Sequence, residues 1–199
     1  MKGSRERILQ RVQEGLGGRP AVDHPGSFPG GYSQSDPTPA DLSSLERFRE
    51  NLEKVGGEVF SFPSSKAARA WLKGFASDFD SVAFGETVPS ELRVREPAGE
   101  PAEAGLGVSM ARCAIAETGS LVLEAGDGRR TQLLPHAHVV WVMADTVHET
   151  ALTFLQGLSG QRVPSVFGLH SGPSNSADIG QIMVRGVHGP GRLIAGIIG

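Results

Sequence analysis

Three glycine-containing turns in the second half of the chain carry most of the residue types that can do chemistry. They lie at 117–120, 171–178 and 186–191, and each adjoins an apolar segment with the composition of a strand. Loops at strand ends are where open α/β sheets usually bind ligands. If these strands join one sheet, we expect the turns to converge at one edge of it around a pocket for a small polar ligand.

The first turn, Ala116-Glu117-Thr118-Gly119-Ser120, combines a carboxylate with two hydroxyl groups and a glycine. A carboxylate in this setting can accept a proton, act as a nucleophile or orient a ligand. We therefore predict a catalytic role for Glu117 and ligand binding by Thr118 and Gly119. The alternative is a surface glutamate before a turn, with Thr118 and Ser120 satisfying backbone groups.

The second turn runs from Ser171 to Asp178 and is rich in hydroxyl groups and free backbone N–H groups. Such a loop can hold a phosphate or a carboxylate, although it has neither a Walker sequence nor a Gly-x-Gly-x-x-Gly pattern. We predict ligand binding by Ser171, Gly172 and Ser174 and a catalytic role for Asp178. The alternative is a turn closed by its own local hydrogen bonds.

The third turn, Gly186-Val187-His188-Gly189-Pro190-Gly191, places a histidine among glycines. An imidazole titrates near neutral pH, and the glycines permit a close approach to a ligand. His188 is therefore the third predicted catalytic residue, and Gly189 is predicted to bind the ligand. The alternative is a tight turn between two strands that contains a histidine by chance.

Two other features suggest chemistry more weakly. His136 and His138 alternate along a strand and could share a metal ion, but the spacing supplies no third ligand, so we assign no metal site. Cys113 lies on an apolar strand and is predicted to be a buried packing residue rather than a nucleophile.

The elements that would position these turns alternate between helix and strand in the first half of the chain. A helix is predicted over Ser4–Leu16, followed over 17–37 by a Gly- and Pro-rich flexible arm, which divides the chain into 1–37 and an α/β domain at 38–199. Further helices are predicted from the Thr38 cap to Val55 and after Ser64, with strands at 59–62 and 81–85. This alternation indicates parallel strands joined by crossover helices.

The second half is predicted to be mostly strand. A charged, Pro-rich loop covers 86–105, and one helix, capped by Asp145, buries Val147, Ala151, Leu152, Leu155 and Leu158. Strands are predicted at 110–115, 121–123, 131–134, 138–143, 165–169, 182–187 and 193–198.

Composition excludes several classes of function. The chain has 199 residues with 19 Lys and Arg against 22 Asp and Glu, a net charge of −3, which argues against a nucleic-acid binder. No apolar run near the start resembles a signal peptide, and none is long enough to span a membrane. A single cysteine cannot supply a four-thiolate cluster or an internal disulfide. We therefore expect a cytoplasmic protein without a redox centre of its own.

Four motifs in this order resemble the lactate utilization protein C family, whose members have a LUD domain. The motifs are Ala114-Ile115-Ala116-Glu117-Thr118-Gly119-Ser120, Leu133-Leu134-Pro135 with His138, Ser171-Gly172-Pro173-Ser174 with Asp178-Ile179, and Gly186-Val187-His188-Gly189-Pro190. The chain departs from the family at Gly180, where Glu often follows Asp-Ile, and at Ser174-Asn175-Ser176, where Ser-Ala-Thr is usual.

The resemblance implies a three-layer α/β/α fold similar to ribose-5-phosphate isomerase, glucosamine-6-phosphate deaminase and the CoA transferases. It also implies a part in the oxidation of L-lactate to pyruvate together with two other proteins, which would carry the iron–sulfur clusters.

Three hypotheses for the function stay open at this stage. The first is a non-redox subunit of a lactate-oxidising system that binds a small anionic ligand or a partner at the three turns. The second is a stand-alone transferase or isomerase that acts on a phosphorylated or CoA-linked substrate, with Glu117 as nucleophile or base. The third is a scaffold in which the turns are purely structural. Whether the chain is an enzyme by itself stays open, and the first helix could exchange between subunits of a homo-oligomer.

Overall fold

The computed structural model describes residues 3–17, 42–97, 100–161, 163–177 and 183–199. The chain divides into two units, residues 1–37 and 38–199. In the first unit, helix α1 covers Ser4–Leu16, and its apolar residues Ile8, Leu9 and Val12 are exposed. The predicted flexible arm lies outside the described residues except for Gly17, and so do the predicted helix cap Thr38 and the predicted catalytic residue Asp178.

The second unit is built on a parallel sheet, with one helix before its first strand and a crossover helix between its first and second strands. Helix α2 covers Ser44–Lys54 and α3 covers Ser65–Phe75. The strands are β1 (Glu58–Phe62), β2 (Val82–Phe84), β3 (Leu106–Met110), β6 (Ala137–Met143) and β11 (Arg192–Ile198). They pair in the order β1-β11-β6-β3-β2, all in parallel, so their carboxyl ends share one edge of the sheet. The predicted α/β class is confirmed.

A smaller mixed sheet is packed beside the parallel one. It contains β4 (Cys113–Ile115), β5 (Ser120–Glu124), β7 (Val147–His148) and β8 (Phe167–His170) in the order β7-β4-β5-β8. Two short strands, β9 (Asn175–Ala177) and β10 (Met183–Arg185), form a separate antiparallel pair. The single strand expected over 110–115 is therefore two strands that belong to different sheets.

The buried apolar residues form three clusters. One face of the parallel sheet packs on α3 through Leu72, Val139 and Trp141. The other face packs on α2 and the smaller sheet, where Phe48, Leu121 and Val140 are fully buried. The smaller sheet in turn is covered by helix α5 (Ala151–Gly157) through Phe154, which contacts Ile115 and Val122. The strand residues are apolar on both faces because both sheets are covered on both sides.

Two local predictions are wrong for identifiable reasons. Residues 131–134 form no strand, because helix α4 covers Arg129–Leu133 after a glycine, Gly128, at φ 89°. The helix expected from Asp145 begins only at Ala151, where Thr150 supplies the cap, and it buries Phe154 and Leu158 while Leu152 and Leu155 are exposed. No helix among the described residues is long and apolar enough to cross a lipid bilayer.

Candidate functional site

The first and second turns are joined by a chain of three hydroxyl groups. The Ser120 Oγ lies 2.7 Å from the Thr118 Oγ1 and 2.6 Å from the Ser171 Oγ. Ser120 is buried, whereas Thr118 and Ser171 are exposed at the two ends of the chain. Because a hydroxyl group can both donate and accept a hydrogen bond, the exposed hydroxyl groups at the two ends can either donate to a ligand or accept from it.

The second and third turns are joined through their backbones. The Ser174 N–H donates to the Pro190 carbonyl at 2.8 Å, and the Gly186 N–H donates to the Ser174 carbonyl at 2.9 Å. A Cβ on Gly189 would lie 3.3 Å from the Ser174 Cβ, so the two predicted ligand-binding residues are in direct contact. The third turn leads directly into β11, which places this junction at the amino edge of the parallel sheet.

Two of the predicted ligand-binding glycines are explained by the packing of α2. A Cβ on Gly119, which has φ 61°, would lie 2.4 Å from the Leu52 backbone nitrogen. A Cβ on Gly172, which has φ 120°, would lie 2.9 Å from the Val55 side chain. Both turns therefore lie against the C-terminal half of α2, and this contact alone requires glycine at the two positions.

Glu117 is held by two neighbouring helices. Its Oε1 accepts a hydrogen bond of 2.7 Å from the Ala151 N–H, in the first turn of α5, where backbone donors have no partner within the helix. Its own carbonyl accepts from the Asn51 side-chain amide, which also binds the Ala116 carbonyl at 2.8 Å. These contacts favour a structural role for this carboxylate, and the catalytic role stays a prediction.

His188 lies apart from these contacts. Its side chain is exposed, and within the described ranges no hydrogen bond or ion pair joins it to another residue. It shares the third turn with Gly189, so the imidazole is free to meet a ligand or a partner surface. Its catalytic role, like that of Asp178, stays a prediction.

The two histidines near the start of β6 have separate environments. His138 is fully buried, its Nε2 lies 3.0 Å from the Ser109 Oγ, and its ring lies 6.0 Å from that of His170. Burial, with a smaller contribution from His170, lowers the pKa of His138 to about 3, so this imidazole is neutral at pH 7. His136 instead packs against Gly186 and Gly191. Within the described ranges, no three His, Cys, Asp or Glu side chains are grouped as metal ligands.

Arg185 is a further candidate that the sequence did not single out. A Cβ on Gly56, just after α2, would lie 3.3 Å from an Arg185 guanidinium nitrogen and 3.7 Å from the Pro173 ring. The guanidinium therefore lies beside the second turn and adds a positive charge to a surface of hydroxyl groups. No local signal marks Arg185 or Asn51, because Asn51 reaches the first turn from α2 and Arg185 lies opposite Asn175 of the second turn in the pair of β9 and β10.

The α/β fold and the three joined turns agree with the family comparison. The family model "LUD domain" matches residues 99–198, which is half of the chain and includes all three turns. The chain belongs to the LUD domain family.

The similar proteins with curated names are lactate utilization proteins. "Lactate utilization protein C" of Halalkalibacterium halodurans is 39% identical over 95 residues, a match that covers 44% of this chain and 41% of that protein. The protein of the same name from Shouchella clausii is 38% identical over 150 residues, or 70% of this chain and 65% of that one. The one from Anoxybacillus flavithermus is 27% identical over 93% of this chain and 94% of its own.

One solved structure shares the fold. A DUF162 family protein from Deinococcus radiodurans superposes with a TM-score of 0.57 and 20% identity, covering 79% of this chain and 99% of its own. The first relative is matched over less than half its length, whereas the Anoxybacillus relative is matched over nearly all of it.

Proposed function

We propose that this protein acts in lactate utilization, as a non-redox subunit of a multi-protein cytoplasmic system that oxidises L-lactate to pyruvate. The names of the relatives support the process, and the single cysteine supports the absence of a cluster held by this chain. Iron–sulfur clusters would then belong to the partner subunits. In this role the chain binds a small anion, or a partner, at the surface formed by the three turns.

The observation that carries the site is the hydrogen bonding that joins each turn to the next. The Thr118, Ser120 and Ser171 hydroxyl groups link the first turn to the second, and the Ser174 backbone links the second turn to the third. The Arg185 guanidinium and the Pro173 ring of the second turn both lie beside Gly56, 3.3 and 3.7 Å from the position of a Cβ on that glycine. Hydroxyl donors next to a guanidinium are a suitable set for a carboxylate.

The contact of Glu117 with α5 weighs against the alternative of a stand-alone transferase or isomerase. In that alternative Glu117 is the nucleophile or base, but here its Oε1 already accepts the Ala151 N–H. Assaying the purified chain without partners on phosphorylated and CoA-linked substrates separates the two functions, because only a stand-alone transferase or isomerase would turn over.

The proposed role is tested by deleting the gene in its host and measuring growth on L-lactate and on glucose. We expect the deletion strain to grow on glucose but not on L-lactate, and we expect the wild-type gene to restore growth on L-lactate. Ser171→Ala removes an exposed hydroxyl of the site and should reduce this growth without lowering the melting temperature. The matched control is Ser77→Ala, since Ser77 is also exposed and makes one hydrogen bond, to the Gly74 carbonyl. Unimpaired growth of the deletion strain on L-lactate would overturn the role.

A further inference from the structure

The strand β8 lies at the edge of the smaller sheet, and among the described residues no strand pairs with its outward side. The Ala125 N–H donates to the Val166 carbonyl at 3.2 Å, which fixes the residues of β8 whose backbone groups face β5. In an antiparallel pair these residues alternate with others that face away. Phe167 and Leu169 are therefore the residues that direct their N–H and C=O groups outward. Within the described ranges no hydrogen bond reaches those groups.

The sequence of β8 leaves this edge unprotected. Its residues, Phe-Gly-Leu-His, include neither a lysine nor a proline, which commonly keep an edge strand from pairing with another chain. The side chain of Leu169 is also exposed. At the edge of the parallel sheet, by contrast, the Arg49 guanidinium covers β1 by donating to the Val59 carbonyl at 2.9 Å and to the Ser61 hydroxyl at 2.7 Å. The outward side of β8 is therefore open to an added strand.

A groove between β8 and α4 reaches this edge. It has a volume of about 180 Å³, and its wall includes Gly168, Leu169 and His170 of β8 together with Arg129 and Leu133 of α4. Consecutive residues of a strand point to opposite faces, so a groove that touches three of them in a row extends around the edge of the strand. Both leucines are exposed. The groove thus offers apolar surface next to unpaired backbone groups.

An arginine in the wall of this groove has no ion-pair partner in the part of the chain that the structure describes. Arg129 is exposed, and neither Glu86 nor Glu100, which share a second cavity with it, forms an ion pair with its guanidinium. Glu100 pairs instead with Arg130 at 3.0 Å. The other titratable side chain of the groove, His170, is neutral at pH 7 because burial lowers its pKa. One guanidinium beside apolar surface suits a carboxylate next to an apolar side chain.

We propose that β8 accepts an extended acidic segment of a partner protein, which adds to the smaller sheet as a further strand in this groove. The segment pairs its backbone with the outward N–H and C=O groups of Phe167 and Leu169. One of its apolar side chains packs on Leu133, and a neighbouring carboxylate binds the Arg129 guanidinium. The backbone hydrogen bonds supply affinity, and the two side-chain contacts supply specificity.

A second copy of β8 is a poorer occupant of this edge. Its sequence contains no carboxylate for Arg129, and pairing of two copies would bring a second Arg129 to the same groove. Like charges brought together at an interface oppose association. The residues of the groove lie outside the three turns, so failure of this inference leaves the lactate-utilization role standing.

The test begins by selecting binders of the full chain from random dodecapeptides displayed on phage, and an enriched peptide is synthesised as the probe. We expect the enriched sequences to share an aspartate or a glutamate close to a valine, an isoleucine or a leucine. The probe should bind with a dissociation constant on the order of 10 μM. N-methylation of one alternate set of its residues should abolish binding and N-methylation of the other set should not, because only one set faces β8.

Amide hydrogen exchange, followed residue by residue by NMR, measures the strand pairing directly. In the free chain the amides of Gly168 and His170 should be protected by β5, whereas those of Phe167 and Leu169 should exchange freely. A saturating concentration of the probe should slow the exchange of the Leu169 amide at least about tenfold. Protection of Leu169 in the free chain, by a second copy or by another part of the same chain, would overturn the proposal.

Two pairs of variants separate the contribution of the charge from that of the backbone. Arg129→Gln should weaken binding of the probe about tenfold or more, because a charge-assisted hydrogen bond is lost. The control is Arg69→Gln, which removes an exposed arginine of α3 and should leave the affinity unchanged. Leu169→Pro removes the outward N–H and should abolish binding. Leu169→Ala keeps that N–H and should bind within about threefold of the wild type.

Several outcomes would contradict this inference. They are selection that enriches no common sequence, unchanged affinity in Arg129→Gln, and equal affinities of the two Leu169 variants. Because proline is tolerated in an edge strand where the N–H faces outward, Leu169→Pro should fold. If it does not fold, the exchange of the Leu169 amide and the two N-methylated probes decide on the wild-type chain.

Discussion

Replacing Gly119 by alanine tests whether the first turn requires glycine because it packs on α2 or because it binds a ligand. The added Cβ would lie 2.4 Å from the Leu52 nitrogen and 2.7 Å from the Asn51 carbonyl carbon, and both atoms belong to helix backbone that cannot rotate away. The φ of 61° adds a second cost, because an L side chain rarely adopts it. Strain of about 1–2 kcal/mol and overlap of about 2–3 kcal/mol together predict a loss of about 3–5 kcal/mol in the free energy of unfolding.

Alanine substitutions at two other glycines separate the cost of backbone strain from the cost of steric overlap. Gly160 has φ 75° with nothing within 4 Å of its Cβ position, so Gly160→Ala measures the backbone strain alone. Gly126 has neither a close neighbour nor a positive φ, so Gly126→Ala should be nearly neutral. The difference between the Gly119 and Gly160 variants then isolates the contact with α2.

The free energy of unfolding of the three variants is measured by urea denaturation, and their melting temperatures by thermal denaturation. For a chain of this size, about 3–5 kcal/mol corresponds to a drop in melting temperature of roughly 6–20 °C. The reasoning fails if Gly119→Ala loses no more stability than Gly160→Ala. A stable Gly119→Ala that no longer supports growth on L-lactate would instead favour the ligand-binding role predicted for Gly119.

The remaining predictions concern His138 and Glu117. Because burial lowers the pKa of His138 to about 3, the fold is most stable above pH 6.5, where this imidazole is neutral in both states, and stability is lost as the pH falls from 6.5 towards 3. The expected loss is about 2 kcal/mol between pH 6.5 and 5, measured by urea denaturation, and it should shrink in His138→Gln but persist in His188→Gln. Glu117→Ala should lower the free energy of unfolding by about 1–2 kcal/mol, because the Ala151 N–H loses its acceptor. Unchanged stability together with lost growth on L-lactate would support catalysis by Glu117 instead.

Much of the secondary structure could be predicted because its signals are local. Helix α1 has the predicted bounds, and β1, β6 and β11 lie within about a residue of their predicted positions. The failures are at places where tertiary contacts decide. Residues 113–115 are apolar like the strand before them, yet they pair with β5 in a different sheet, and this choice depends on partners far along the chain.

The candidate site, too, could be predicted from the sequence only in part. The hydroxyl groups of Thr118 and Ser171 could be identified as potential ligand-binding groups from residue type and turn composition. Their connection through Ser120 could not be predicted, because 51 positions separate Ser120 from Ser171. The packing of α2 against Gly119 could not be predicted either. The sequence cannot distinguish a glycine that is needed for ligand binding from one that is needed for close packing against a helix.

The amino-acid sequence by itself determined the α/β class, the limit that one cysteine sets on metal clusters and the resemblance to the lactate utilization proteins. Those properties follow from composition, periodicity and short motifs, which need no knowledge of distant contacts. Only the tertiary structure decided that Glu117 binds the first turn of α5, that Ser120 joins two turns, and that β8 lies at the edge of the smaller sheet. Each of these depends on burial and on pairing between remote segments, and both arise only when the sheets and helices pack together.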